Sequence, residues 1–348
     1  MKSLATYASK MTEPEYHQAP FWSYSAIARY AKEGFGSLND LNRSVAATPS
    51  MEFGSLFDSI LTKGKETLKE YAVIDCTVPD AEKKALDYIV SKTDKPQAKL
   101  SELPQEDLTA YCDECGYQMR WGYDARLKHL TPYSMYYDIR RTGRKPVSSD
   151  DWADAVEMAN IFRNDPYLKN VFGTKNSGHK EYLYQLKFFL DYPLDEFTTV
   201  KLKFMPDLLV VDHQEKTVQP VDLKTSSMPA WGFQENFLKF RYDIQATLYS
   251  DALRYVMDST KEYKDYTILP YLFTDISRSD KVPVTFIYDQ TDPSQQDGLS
   301  FSTDGKTYKY KGWKALLQEI LDYQEQKAKV PAYIKLNEPN NILDLLGK

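Results

Sequence analysis

Asp207, Asp222 and Lys224 are the residues whose types and spacing most directly allow chemistry. They lie in KLKFMPDLLVVDHQEKTVQPVDLKTS, residues 201–226. That stretch reads as two apolar-rich strands, 202–212 and 217–225, around the polar turn His213-Gln214-Glu215-Lys216. With Asp212 opposite Thr217 and no bulge, Asp207 falls directly across from Asp222. Directly opposed residues on one sheet face sit roughly 5 Å apart at Cβ, and like charges there are destabilising. A shared divalent cation is the commonest reason to place two carboxylates so. Alternation puts Lys224 on the face of Asp222, with Val221 and Leu223 on the other. The chemistry on offer is a cation held by two acids with an ammonium beside it. An ordinary salt-bridge network, joining the two acids to Lys203 and Lys224, is the competing reading.

Other elements must position this hairpin. Residues 180–191 alternate as the preceding strand, which opens on Glu181, and residues 234–257 read as one long helix after the hairpin. On that helix Gln245 and Tyr249 are four apart and share a face. Residues 266–274 and 281–289 read as two more strands, and 313–329 as a closing amphipathic helix before an irregular tail. Upstream, Ser23 caps a short helix over 22–30, and 52–61 is helical, with Asp58 one turn beyond Gly54. Residues 66–178 are mainly helical, with a polar interruption at 91–104 and a helix over 150–172 capped by Ser148 or Ser149. We therefore expect a single domain, 1–348, with the helical region 66–178 inside it and the sheet and Gln245 helix in 179–290.

Composition bounds the answer. At 348 residues, 42% hydrophobic and 27% charged, the chain has the make-up of a soluble globular protein. It opens without an apolar leader and holds no run of membrane-spanning length, so a cytoplasmic location and no membrane partner are expected. With only Cys76, Cys112 and Cys115, no disulfide framework is expected. Cys112 and Cys115 have a zinc-knuckle spacing without a second pair, and ordinary thiols are expected there. A net charge of −6 argues against a broad basic surface for nucleic acid, but a local basic groove stays compatible with it. The 27 tyrosines read as packing residues with hydrogen-bonded tips.

In order, the chain offers S-x-S (Ser23, Ser25), G-x-x-x-D (Gly54, Asp58), Glu181, Pro206-Asp207, Asp222-Leu223-Lys224-Thr225 and Q-x-x-x-Y (Gln245, Tyr249). This succession resembles the RecB-like branch of the PD-(D/E)XK nuclease superfamily, closest to RecE-type and phage exonucleases, over about residues 23–249. The resemblance implies an α/β restriction-endonuclease-like fold: a central mixed β-sheet flanked by helices, with a helical N-terminal or inserted region. It implies a metal-dependent DNA exonuclease that processes linear double-stranded ends for recombination or repair, in a bacterial host or phage-infected cell. Asp207, Asp222, Lys224, Gln245 and Tyr249 would be catalytic. Asp58, Asp207, Asp222, the Leu223 carbonyl and Glu181 would hold the metal. Asp58 stands where such nucleases often have histidine. The resulting all-oxygen ligand set suits Mg²⁺ or Mn²⁺. Three cysteines fall short of the four-cysteine iron–sulfur cluster found in some relatives, so none is expected. The basic cluster Arg140, Arg141, Arg144 and Lys145 would contact DNA phosphates. A ring-shaped homo-oligomer and a single-strand annealing protein as partner are implied in the same way. The alternatives are a single-strand-specific nuclease, an endonuclease of the same fold, or a scaffold that binds DNA without cleaving it.

Overall fold

Pro206 and the left-handed residues Gln185 and Arg241 interrupt runs that the sequence would otherwise continue, and those interruptions shape the elements around the acid pair. The computed structural model describes residues 2–38, 48–93, 98–173, 176, 178–295, 297–303 and 305–329. The chain forms two compact units, Met1–Ala46 with Asn170–Lys348, and Ala47–Lys169. The first unit opens with α1 (Glu13–Gln18) and α2 (Tyr24–Glu33). The second holds α3 (Pro49–Lys63), β1 (Tyr71–Ile74), α4 (Asp80–Lys92), α5 (Gln105–Glu114), α6 (Tyr123–Leu130), α7 (Ser134–Arg141), β2 (Lys145–Ser148) and α8 (Ser149–Asn164). The chain then returns to the first unit with β3 (Lys180–Tyr184), β4 (Phe188–Pro193), β5 (Thr199–Phe204), β6 (Leu208–Asp212) and β7 (Thr217–Ser226). Next come α9 (Phe233–Phe240), α10 (Tyr242–Asp258), β8 (Thr267–Ile268), β9 (Tyr271–Ser277) and β10 (Pro283–Tyr288). The last elements are β11 (Ser300–Thr303), β12 (Lys306–Lys309) and α11 (Trp313–Lys329).

A mixed sheet of order β10-β9-β7-β6-β3, with β8 also on β7, runs through the first unit. Its pairs are antiparallel except β7 with β8 and β9, which run parallel. One face buries Leu209, Val211, Val218 and Phe273 in a core shared with Ile244 and Leu248 of α10, Ile27 of α2 and Leu317 of α11. The alternate residues Leu208, Val221 and Leu223 are also buried, so β6 and β7 are covered on both faces.

Several elements differ from their sequence-based limits: 266–274 divides into β8 and β9, the helix expected over 150–172 ends at Asn164, and three further differences bear on the site. The stretch 202–212 is two strands, because the chain turns at Met205-Pro206-Asp207. The half before the turn, β5, pairs with β4 and leaves the central sheet. The stretch 180–191 likewise divides at Gln185, whose φ of 49° ends β3. The single helix over 234–257 is α9 and α10, broken at Arg241 with φ 54°. The buried Arg241 guanidinium holds this break by donating to both Asp243 oxygens at 2.9 Å and to the Lys311 carbonyl at 2.7 Å.

Lys203 stands outside the acid cluster. Its ammonium donates to the carbonyls of Tyr16, His17 and Ala19 at 2.8–3.0 Å, closing the C-terminal end of α1. Burial holds its pKa below the usual lysine range. Lys203→Met keeps the apolar stem and removes these charge-assisted bonds. It is expected to cost about 2 kcal/mol, read as a lower urea midpoint.

The second unit packs Leu86, Ile89, Leu108, Cys112, Leu130 and Tyr137 into its own core. Its boundaries, 47 and 169, differ from the expected 66 and 178 because α3 packs on α8 of the same unit. Burial pushes the Cys112 thiol up to about 11, which keeps it an unreactive thiol at neutral pH. The tail after 329 and residues 94–97 of the polar interruption lie outside the described residues. No helix among the described residues is long and apolar enough to cross a membrane.

Candidate active site

The β6–β7 hairpin builds the site from its turn outward. Asp212 Oδ1 accepts from the backbone N–H groups of Gln214 and Glu215 at 3.0 and 3.1 Å, an Asx-type turn that fixes the register. The register runs unbulged from Asp212↔Thr217 to Leu208↔Val221. The ladder stops there; one residue further out on each chain lie Asp207, in the bend that precedes β6, and Asp222 on β7. Asp207 Oδ2 accepts the Leu223 N–H at 2.8 Å, so its side chain takes over a main-chain partner where β6 leaves β7. The N–H and C=O of one strand residue leave on the same edge, which puts the Leu223 carbonyl on the side of Asp207.

Asp222 forms the floor of the site at 1% exposure. Its Oδ1 accepts from the Gln245 side-chain amide. Its Oδ2 lies 2.6 Å from the Lys224 ammonium but has no hydrogen bond of good geometry. Lys224 Nζ also lies 3.5 Å from Gln245 Oε1 and 4.6 Å from the centre of the Tyr242 ring. Burial opposes the lysine charge. Attraction by Asp222, with Tyr242, Asp207 and Tyr24, outweighs it and holds the ammonium above the usual lysine range. Burial raises Tyr249 well above its usual pKa, and raises Tyr242 against the opposing pull of Lys224, so both hydroxyls stay neutral.

The helix break at Arg241 aims this set. It starts α10 at Tyr242, and the i, i+3, i+7 spacing presents Tyr242, Gln245 and Tyr249 on one face. Ser23 is the N-cap of α2 without a side-chain capping bond, while the next residue, Tyr24, donates its hydroxyl to the Phe240 carbonyl at 2.6 Å.

Asp207, Asp222, Lys224, Gln245 and the Leu223 backbone thus come together, with Tyr249 close enough to feel both acids. Glu181 does not join them. It pairs with Val211 on β6, four residues beyond Asp207 along the chain, or roughly 13 Å at the strand rise. There its Oε2 lies 3.6 Å from His213 Nε2, and His213 Nδ1 is 3.0 Å from the Tyr266 hydroxyl. Asp58 lies on α3 in the second unit, half-buried, and its carbonyl accepts the Thr62 hydroxyl at 2.7 Å. The basic cluster is also partly a structural one. Arg140 pairs with Asp87 at 2.6 Å and Arg141 with Asp138 at 2.8 Å, so nearby carboxylates offset both charges. Arg144 Nε donates to Thr142 Oγ1 at 3.3 Å, and Lys145 Nζ sits over the Tyr71 ring at 5.5 Å.

The donor set within the first unit fits a hard divalent cation. Asp222 Oδ2 is a buried carboxylate oxygen that faces the Lys224 ammonium, and Asp207 and the Leu223 carbonyl add further oxygen. Among the described residues no three His, Cys, Asp or Glu side chains gather into a metal-binding group. One or two carboxylates completed by water and substrate phosphate is the usual manner of holding Mg²⁺.

Two neighbours of Lys224 escaped the sequence reading. Tyr242 lies three residues before Gln245, and that spacing is its signal. Asp275 is the lone charge in the fully buried strand Tyr271–Ser277 and pairs in register with Lys224. Its Oδ2 accepts the Ser226 hydroxyl at 2.9 Å, and its Oδ1 is buried without a partner. Burial, with a smaller push from Asp280, raises Asp275 to about 6 against the opposing pulls of Ser226 and Lys224. Comparison of the chain with protein-family models finds no match, and comparison with curated proteins finds none either.

Proposed function

We propose that the protein is a metal-dependent DNA nuclease whose reaction centre is Asp207, Asp222 and Lys224, acting as an exonuclease on linear duplex ends. The observation that carries this reading is the buried Asp222 carboxylate, fixed by Gln245 on one oxygen and facing Lys224 with the other. Asp207, Asp222 and the Leu223 carbonyl would hold Mg²⁺ or Mn²⁺. When bound, such an ion offsets negative charge on the phosphate and makes water a stronger nucleophile at neutral pH.

The chain's own residues do the rest. Gln245 locks the Asp222 rotamer, so the carboxylate needs little reorganisation on binding substrate. Lys224, a compact cation on the Tyr242 ring, faces the scissile phosphate and stabilises charge that grows as water oxygen bonds to phosphorus. The bond from phosphorus to one deoxyribose oxygen then breaks. Tyr249, buried and neutral, walls off bulk water behind Gln245.

The preference for DNA and for linear ends rests on the resemblance to RecE-type exonucleases, as do a ring-shaped oligomer and an annealing partner. The salt-bridge reading accounts for Lys224 with Asp222 but not for Lys203, which caps α1. The substrate class is tested with three DNAs: linear duplex, linear single strand and closed circle. Loss of the linear duplex with circles spared is expected. Nicking or cutting of circles would make the enzyme an endonuclease.

A further inference from the structure

A cavity of about 420 Å³ lies in the first unit, with Phe233, Phe237, Phe273, Phe286, Phe301 and Thr303 among its walls. It is on the sheet face of Asp222, because Asp222 registers with Phe273 on β9, and Phe273 with Phe286 on β10. Two inter-strand steps put it roughly 10 Å from Asp222. That distance is about three stacked-base steps along a DNA strand.

One aromatic ring joins two walls of the cavity to the lysine. Phe233 and Phe273 stack on Tyr242 with centroids 5.9 and 5.7 Å away, and Tyr242 is the ring beneath Lys224. The remaining wall is the β11–β12 hairpin. Phe301 pairs across it with Tyr308 and Thr303 with Lys306, so all four side chains share the hairpin face that lines the cavity. Phe301 lies flat against Tyr308 and Tyr310, at interplanar angles of 16° and 12°. Lys306 is exposed on this face.

Flat aromatic walls with a lysine at the margin match a planar heterocycle that carries a phosphate. An apolar ligand would have no use for the charge. We propose that this cavity receives an unpaired base of the DNA strand being cleaved, stacked against Phe301, with its phosphate toward Lys306. The inference rests on the nuclease reading and adds to it a subsite for single-stranded DNA beside the scissile bond. Stacking on aromatic side chains is tolerant of sequence, so the subsite would accept any base.

The test uses the full chain in EDTA, where binding is read without cleavage. The probe is a short single-stranded oligonucleotide containing 2-aminopurine, competed by an unlabelled twin or by an abasic twin of equal length. The wild type is expected to quench the probe, and the abasic twin to compete roughly tenfold more weakly than the base-containing one. Phe301→Ala should erase that discrimination. Lys306→Ala, at an exposed position that does not threaten folding, should weaken both twins alike. Equal competition by the two twins against the wild type would assign the cavity to another occupant, such as an aromatic side chain of a protein partner, and overturn the proposal. Unchanged discrimination in Phe301→Ala would overturn it as well. A parallel digestion in Mg²⁺ separates the two claims. Cleavage without base discrimination refutes the subsite alone, and base discrimination without cleavage refutes the nuclease reading alone.

Discussion

Lys224→Ala is expected to lower metal-dependent cleavage by about 10²–10³-fold, the usual cost of deleting one preorganised group that faces developing charge. Asp222→Ala should lose at least as much, since it removes a ligand and the partner of Gln245 together. The same pair has a stability signature independent of catalysis. Lys224→Ala leaves a carboxylate 1% exposed without its cation. Breaking a wholly buried pair costs ~3–5 kcal/mol, and the solvent that Lys224 retains reduces this to about 2–3 kcal/mol. Removing both groups should cost less than the sum of the single changes, in a double-mutant cycle read by urea unfolding. Millimolar Mg²⁺ should return part of the stability lost in Lys224→Ala, because a cation that binds only the folded chain stabilises it by mass action. A Lys224→Ala protein whose unfolding midpoint ignores Mg²⁺ would argue for a plain salt bridge.

Asp275→Asn is expected to stabilise the protein at pH 8 and leave it unchanged near pH 3. Asp275 faces Ser226 and Lys224 from β7 and Asp280 from beyond its own strand, and it titrates at about 6 instead of the ordinary 3.8. A carboxyl raised on folding favours the native state in its protonated form. Its relative contribution is intact below 3.8 and is lost as pH rises through about 6. The difference corresponds to roughly 3 kcal/mol, complete above pH 7. Asparagine keeps an acceptor for Ser226 and carries no charge, so the variant should escape the loss. Urea midpoints of both proteins between pH 3 and 8 measure it. A gap that does not change with pH would mean that Asp275 is not held neutral by its surroundings.

The acid pair and its lysine were legible in the sequence because a hairpin with a short polar turn leaves little freedom of register. Asp212 opposite Thr217 dictates which residues come to face one another five steps away. Gln245 was legible because four-residue spacing on a helix depends only on helix geometry. Glu181 was misplaced for a reason of the same kind. Its face follows from the pleat, but its distance from Asp207 depends on where β3 ends, and the left-handed turn at Gln185 has no glycine or asparagine to announce it. Arg241 hides its helix break in the same manner, held by long-range bonds to Asp243 and Lys311. The pairing of Arg140 with Asp87 joins residues on different helices, α7 and α4, which no local pattern records. Asp275 joins the site only through parallel pairing of β7 with β9, a contact across some fifty residues that spacing cannot show.

The most direct test of the central claim is digestion of end-labelled linear duplex DNA in Mg²⁺, Mn²⁺ or EDTA, with the Lys224→Ala protein beside the wild type. The account predicts loss of duplex with either metal, none in EDTA, and a rate at least a hundredfold lower for the variant. Intact DNA with a folded wild-type protein in both metals would contradict it, as would cleavage that Lys224→Ala leaves undiminished.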